Sequence, residues 1–482
     1  MPETASDGAV QKSPLVVDPA ILASIRSPAR PEGVHATIAT PPESMPGKLG
    51  VTAAWQAMYG GYYHGVEHDE RLRERYGEIY RTMYLAQPMV FVSEPDEIQK
   101  ILRNEQNVWS SAIAWDYLFF DGLNEEGGNP GSLLTLDFDA HRSARKLMQP
   151  VFSSSAIQGY IEIARPLFVN SISEWIAAGG VNFSPVMQRL FPSISNRLLT
   201  GIEDRPQLDR FDRALRAITF GGQALVSERY RFLNPSFIAA RRAYGYLTNY
   251  FVPLAPARRA ETGTDLFSQV SRAAGGPNGV SDHTLVRSFL TMMLGAHDST
   301  ALGIINAAYL LAKHPEWQER VRQEALSIPV LDWAGLQKLD QLDLVWKESL
   351  RLIPVTPYVP RRALRDVEVL GHQLKAGTLM GPLHGVAGRH PSWWKNPLEF
   401  DPERFSSGRN EHKKHPAIWN PFGGGAHVCI GMQLATLEAK VFFHNLLTRC
   451  RFELTSDRAP KHQWRPLGRV SGDVGLRLVA TG

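Results

Sequence analysis

The rhythm of apolar and polar positions changes several times along the chain, and each rhythm predicts an element. Charged residues crowd 66–80, which reads as an exposed helix. Residues 83–91 alternate loosely and run into Val90-Phe91-Val92, a strand pattern. Pro95-Asp96-Glu97 opens a helix through Leu102, with proline in the first turn where its missing N–H costs nothing. Residues 109–134 hold Trp109, Trp115, Tyr117, Phe119 and Phe120, then Gly-Gly-Asn-Pro at 127–130, and read as a long loop. From there to about residue 350 the pattern is mostly helical. Within it, 285–312 is apolar nearly all round, through Leu285, Phe289, Met292, Met293, Ala296, Ile304, Ala308 and Leu311. A helix of that kind runs through a core. Residues 367–380 turn to strand and hairpin, with Gly371-His372 and Gly377 as turn signals. A Pro-, Gly- and Trp-rich coil over 390–428 precedes a helix over Met432–Leu447. The expected fold is mainly α with small β-sheets.

Residues 1–45 are rich in Pro, Ala, Ser and Thr and read as a mobile or surface-draped tail. No linker or internal repeat follows, so 46–482 is expected to be a single domain. Composition is ordinary for a globular protein: 43% hydrophobic, 10% aromatic and 21% charged. The net charge of +4 arises from 52 basic and 48 acidic residues that are well mixed, so no basic face for nucleic acid is indicated. The two cysteines, Cys429 and Cys450, are separated by a predicted helix. At about 1.5 Å per residue they lie roughly 30 Å apart, too far to pair, and two unpaired thiols fit a reducing compartment. The N-terminus lacks a signal-peptide pattern, and no stretch of about 20 residues is apolar and uncharged. A cytoplasmic protein without a transmembrane anchor is expected.

The chemistry centres on Pro421-Phe422-Gly423-Gly424-Gly425-Ala426-His427-Val428-Cys429-Ile430-Gly431. Three glycines permit unusual backbone angles and close approach to a flat ligand. Cys429 sits just before a helix, where free N–H groups and the helix dipole favour the thiolate, the form that binds iron. A structural cysteine after a glycine turn is the bland alternative. The full spacing Phe-x-x-Gly-x-x-x-Cys-x-Gly (Phe422, Gly425, Cys429, Gly431) outweighs it.

That spacing resembles the haem-binding signature of the cytochrome P450 family, and three further segments match. Glu348-Ser349-Leu350-Arg351 and Arg404 are similar to a buried structural triad beneath the haem. Gly295-Ala296-His297-Asp298-Ser299-Thr300 resembles the oxygen-binding motif, in which an acid and then a hydroxyl residue deliver protons. Asp298 matches the acid. Serine stands at Ser299 where threonine is usual, so Ser299 or Thr300 can serve. His141, Arg145, Arg362 and His427 match positions that hold the haem propionates, with Arg361 as an alternative to Arg362.

The resemblance implies a haem-thiolate monooxygenase with haem b held by Cys429. It implies O2 and electrons from NAD(P)H, supplied through a separate ferredoxin and ferredoxin reductase, and a monomeric protein. Lys146, Lys413 and Lys414 could form the docking face. The finer likeness is to bacterial, actinobacterial or mycobacterial members of sterol- or lipid-oxidising kind. Trp115, Phe119, Phe289, Met293 and Ala296 are the expected pocket, for a hydrophobic steroid, terpenoid or fatty-acyl substrate. A peroxygenase or isomerase-type relative, and a haem sensor or carrier without turnover, are the alternatives. The retained acid and hydroxyl argue against both.

Overall fold

The computed structural model describes residues 38–84, 87–115, 133–221, 234–274, 280–456, 461–463, 467–471 and 474–481. Helices α1 (Val51–His64) and α2 (Val66–Tyr76) lead into strands β1 (Ile79–Tyr84) and β2 (Gln87–Val92). The expected helix over 66–80 therefore ends early. Gly77 adopts φ +95° and donates its N–H to the Arg73 carbonyl, a stop that needs glycine. Tyr80 then lies on β1, fully buried. The single strand expected over 83–91 is a hairpin, Ile79 opposite Val92 and Tyr84 opposite Gln87. Residues 38–45, counted with the tail in the sequence, lie along this hairpin: Arg81 donates to the Pro41 and Glu43 carbonyls, and Met45 is buried.

Helix α3 (Pro95–Arg103) is followed by β3 (Trp109–Ser110) and α4 (Ala112–Trp115), so the start of the expected long loop is ordered. Helices α5 (Phe138–Met148) and α6 (Ser154–Ala177) and strand β4 (Gly180–Asn182) come next, and helices α7 (Phe183–Thr200), α8 (Arg205–Gly221), α9 (Pro235–Ala260) and α10 (Leu266–Ala274) pack against the core helix α11 (Asp282–Lys313). The Ser281 hydroxyl caps α11 by accepting the Thr284 N–H. From Ala301 to Leu311 every residue of α11 is buried, as the all-round apolar pattern requires.

Helices α12 (Pro315–Leu326), α13 (Trp333–Leu336) and α14 (Asp340–Leu352) lead to strands β5 (Arg361–Ala363), β6 (Val367–Val369), β7 (His372–Leu374) and β8 (Leu379–Pro382), then α15 (His384–Ala387). A coil with short 3-10 turns connects to α16 (Met432–Leu447), whose bounds match expectation. Strands β9 (Cys450–Leu454), β10 (Lys461–Gln463), β11 (Arg469–Ser471) and β12 (Gly475–Ala480) close the chain. The largest sheet runs β1-β2-β8-β5-β3, with β2 and β8 parallel and the other pairs antiparallel. A large interhelical core fills the helical part, and a second cluster joins the sheet to α3. The fold is thus mainly helical with small sheets. Among the described residues no helix is long and apolar enough to cross a membrane.

Candidate active site

The loop ahead of α16 is shaped by two glycines at positive φ, Gly423 and Gly425. A Cβ at Gly425 would stand 1.9 Å from the Leu102 carbonyl oxygen, so only glycine lets the loop pack on the end of α3. The loop is closed by the Cys429 N–H, which donates to the Phe422 carbonyl at 2.9 Å. The Cys429 side chain is open to solvent, yet protein surrounds it closely enough for desolvation to raise its pKa. A thiol opening onto an enclosed hollow satisfies both observations. The N–H groups of Gly431 and Met432 and the charge of Arg145 act the other way. The helix start does favour thiolate as the sequence suggests, but burial outweighs it. A cation at the sulfur would complete the balance.

Beside this loop lies a cationic cradle. His141 and Arg145 come from α5, His427 from the glycine-rich loop and Arg361 from β5. The His141 and His427 rings stack at 3.9 Å, and His427 Nε2 lies 3.6 Å from Asp137 Oδ1. Arg145 donates to the Val428 carbonyl at 2.7 Å. Burial, then the neighbouring His427 and Arg145, pushes the His141 pKa down to about 3. Burial likewise lowers Arg361 to about 10. These groups face one carboxylate, Asp137, itself bonded by Ser110 and the Ser111 N–H. His141 Nδ1 is buried with no hydrogen-bond partner among the described residues. An orphaned imidazole nitrogen among cations is a place for added anionic oxygens. The residues therefore fit a haem whose iron meets Cys429 and whose two carboxylates enter the cradle.

Arg362 is placed differently from expectation. Successive residues of a strand face opposite ways. Arg361 is the one whose charge acts on Asp137, His141 and His427, while Arg362 Nε donates to the Gly377 carbonyl at 3.2 Å. Both arginines are buried.

Three charged residues meet under the coil. Arg351 Nε and Nη2 donate to the Glu348 carboxylate at 2.6 and 2.8 Å, and Arg404 Nε lies 3.4 Å from Glu348 Oε1. The Asp401 N–H also donates to Glu348. The other guanidinium N–H groups reach backbone carbonyls of Gly388, Pro397 and Glu399 from Arg351, and the Lys395 and Asn396 carbonyls and the Glu411 carboxylate from Arg404. Burial raises the Glu348 pKa, and the pairing with Arg351 opposes it.

On α11 the polar break divides. The Ser299 hydroxyl donates to the Gly295 carbonyl at 2.8 Å, one turn back. Thr300 is buried and hydrogen-bonds the Glu438 side chain of α16. That bond ties the core helix to the cysteine-bearing helix. Burial pushes Glu438 up to about 8. Asp298 Oδ2 lies 3.1 Å from His297 Nδ1, whose Nε2 pairs at 2.8 Å with Asp212 of α8. Neither His297 nor Asp212 is evident from the sequence, because their contact spans 85 positions.

The expected pocket residues separate too. Phe289 and Met293 are fully buried, Phe289 within an aromatic cluster with Phe251 and Phe267. They belong to the interhelical core, which corrects their assignment to the pocket. Met292, Gly295, Ala296 and Ser299, spaced i, i+3, i+4, i+7, lie on a partly open side of α11, beside the likewise partly open Thr291, Leu294 and Asp298. A Cβ at Gly295 would meet nothing within 4 Å. Successive helix residues differ by about 100°, and a helix apolar all round hides which of Met292 and Met293 is partly open. Trp115 ends α4, partly buried, while Phe119 lies outside the described residues.

A core helix with a polar break, tied through Thr300 and Glu438 to the helix that follows the cysteine, fits a haem-binding oxidoreductase. The model of the family described as Cytochrome P450 matches residues 58–472, and the chain belongs to that family. It is a cytochrome P450 monooxygenase, with haem iron, O2, reducing electrons, a small-molecule substrate and redox partner proteins. It is 36% identical over 333 residues to putative cytochrome P450 136 of Mycobacterium tuberculosis, 67% of each chain. It is 25% identical over 401 residues to abscisic acid 8'-hydroxylase 3 of Oryza sativa subsp. indica, 79% of this chain and 76% of that one. Retinoic acid-bound cyanobacterial CYP120A1 shares the fold, with a TM-score of 0.80 at 22% identity over 92% of this chain and 100% of that chain.

Proposed function

We propose that this chain inserts one atom of O2 into a C–H bond of an apolar substrate of steroid, terpenoid or fatty-acyl type. Haem b is its cofactor, and NAD(P)H-derived electrons arrive through a separate ferredoxin and ferredoxin reductase. The observation that carries the reading is Cys429, a thiol held by the Gly431 and Met432 N–H groups beside a cradle with an orphaned imidazole nitrogen. When bound, the haem supplies the redox and oxygen chemistry. Cys429 holds its iron, and His141, Arg145, His427 and Arg361 hold its carboxylates. Glu348, Arg351 and Arg404 brace the coil that leads to the cysteine.

Protons come from Asp298. Ser299, one residue on and open to the hollow, is the hydroxyl that passes them, because Thr300 is committed to Glu438. This acid and hydroxyl favour a monooxygenase over a carrier, which has no need of them. The face at Met292, Gly295 and Ala296, with Trp115, offers an apolar substrate a largely carbon-lined surface. The relatives' names, which cite abscisic acid and retinoic acid, support a substrate with a large apolar body. Exposed Lys146, Lys413 and Lys414 suit an acidic electron carrier.

The test is spectral and then catalytic. The reduced holoprotein with carbon monoxide should give the band of thiolate ligation. Cys429→Ala should lose that band and all NAD(P)H-dependent oxidation. A spectrum of neutral-thiol or histidine type in the parent protein would overturn the assignment.

A further inference from the structure

The acid of α11 is not the end of its chain of contacts. His297 is 1% exposed, whereas the carboxylates on either side, Asp212 and Asp298, are each 24% exposed. Each ring nitrogen meets a different carboxylate: Nε2 meets Asp212 at 2.8 Å and Nδ1 meets Asp298 at 3.1 Å. Asp212 is fixed in turn by Arg216 Nε at 2.9 Å on the same helix, and Arg216 also donates to the Gln188 carbonyl of α7. The ring is thus the link between an acid on the outer helix α8 and the acid at the polar break of the core helix. We propose that His297 is a positioning and proton-relay residue, carrying protons from Asp212 inward to Asp298 and thereby coupling the placement of α8 to proton supply.

A relay needs a group that accepts a proton on one side and releases one on the other. Imidazole does this with two nitrogens: here Nε2 hydrogen-bonds Asp212, and Nδ1 stands at ion-pair distance from Asp298. The proton balance is simple. The imidazolium gives its Nδ1 proton to Asp298 and is left neutral, with its remaining proton on Nε2. A tautomer shift of the neutral ring from Nε2–H to Nδ1–H by exchange with solvent, and a solvent proton arriving at Nε2 through Asp212, restore the cation. One proton enters and one leaves per cycle.

The charged groups acting on the ring are Asp212, with its partner Arg216, from α8 and Asp298 from its own helix. α7 presents the Ser195 hydroxyl, which donates to the Ala296 carbonyl at 3.5 Å. Burial alone would lower the imidazole pKa, but the hydrogen bonds and charges of the two carboxylates reverse it and leave it raised. Asp298 Oδ1, the oxygen turned from the ring, is buried and bonded to no described protein group, so it is free to pass the proton on.

The inference rests on the monooxygenase reading, and the experiment keeps the two separable. Holoenzymes of the parent chain, His297→Gln, His297→Asn and Asp212→Asn are compared. Ligation by Cys429 is checked first, by the carbon monoxide spectrum. Histidine ring NMR titration then reads His297 directly, identified as the signal lost in the His297 variants. We expect its midpoint above the ordinary histidine value, and a fall in Asp212→Asn. NADPH consumption with a surrogate ferredoxin and reductase should drop on the order of tenfold or more in both His297 variants, since neither amide can carry a proton. Its pH profile should lose the histidine limb. Parent-like rate and profile in His297→Gln or His297→Asn would overturn the relay. So would a slower rate with an unchanged profile, which marks a mere clamp, or a parent His297 midpoint at or below the ordinary value. Failure of the monooxygenase reading appears instead as a wrong ligand spectrum in the parent chain.

Discussion

At the residue scale, the hydroxyl pair of α11 is divided by its surroundings rather than by its chemistry. Ser299 bonds within its own helix beside the open face, while Thr300 is spent on Glu438. Ser299→Ala should therefore raise peroxide released per NAD(P)H with little change in stability. Thr300→Ala should cost about 1–3 kcal/mol in denaturant unfolding, because it strips the partner from a buried carboxyl. Equal uncoupling in both variants would contradict this division. Glu438 adds a pH signature. Its folded-state pKa near 8 stands above the unfolded value of 4.5, so between these pH values the folded chain holds a proton that the unfolded chain has lost. Stability should fall as pH rises from about 4.5 to 8 on this account. Glu438→Gln should flatten that slope, seen as a stability gain over the parent that grows with pH and levels off above 8. Cys429 stands out in the sequence through the full Phe-x-x-Gly-x-x-x-Cys-x-Gly spacing, not through its glycines alone. Glu438 does not stand out, since nothing in a helical sequence marks one glutamate as buried.

At the scale of elements, the Glu348–Arg351 spacing on α14 was readable as an i, i+3 pair, and Arg404 as its third member. The spacing by itself does not give depth; burial was expected from the apolar flanks and the family resemblance. All three side chains are at most 1% exposed, so the pair is a buried ion cluster rather than a surface bridge worth little. Glu348→Ala leaves the buried Arg351 guanidinium with only carbonyl partners, and Arg404 with carbonyls and the Glu411 carboxylate. The expected loss is about 3–5 kcal/mol, measured by denaturant unfolding, with haem content falling in parallel. A loss under about 1 kcal/mol would show that the carbonyls suffice. Strand and helix phase set two other outcomes. Arg361 and Arg362 are equally basic, and only the facing of β5 sends Arg361 to the cradle. Likewise, only neighbouring helices decide that Met292 rather than Met293 is partly open.

At the scale of the whole molecule, the cradle draws on three distant stretches of chain: α5, β5 and the loop before α16. Burial disfavours the charged forms of His141 and Arg361, His427 and Arg145 add to this at His141, and Asp137 alone among the groups acting on them works the other way. Haem should therefore stabilise the entire fold and not merely its site. At haem concentrations about a thousandfold above Kd, linkage predicts roughly 4 kcal/mol. Scanning calorimetry of haem-free and reconstituted protein checks this, with a rise in Tm expected. Unchanged Tm on full reconstitution would mean that the cradle is not where the haem carboxylates settle.

The amino-acid sequence by itself determined the class of fold, the core helix, the cysteine helix with its bounds and the chemistry of the signature loop. These depend on local periodicity, glycine geometry and short spacings, all of which act within a few turns of chain. Tertiary structure alone decided which arginine meets the cradle, which methionine is open, and that His297 stands between Asp212 and Asp298. Burial and contacts between remote segments set those outcomes. The free energy of a polar group depends on what is brought beside it, and that is fixed only when the helices have packed.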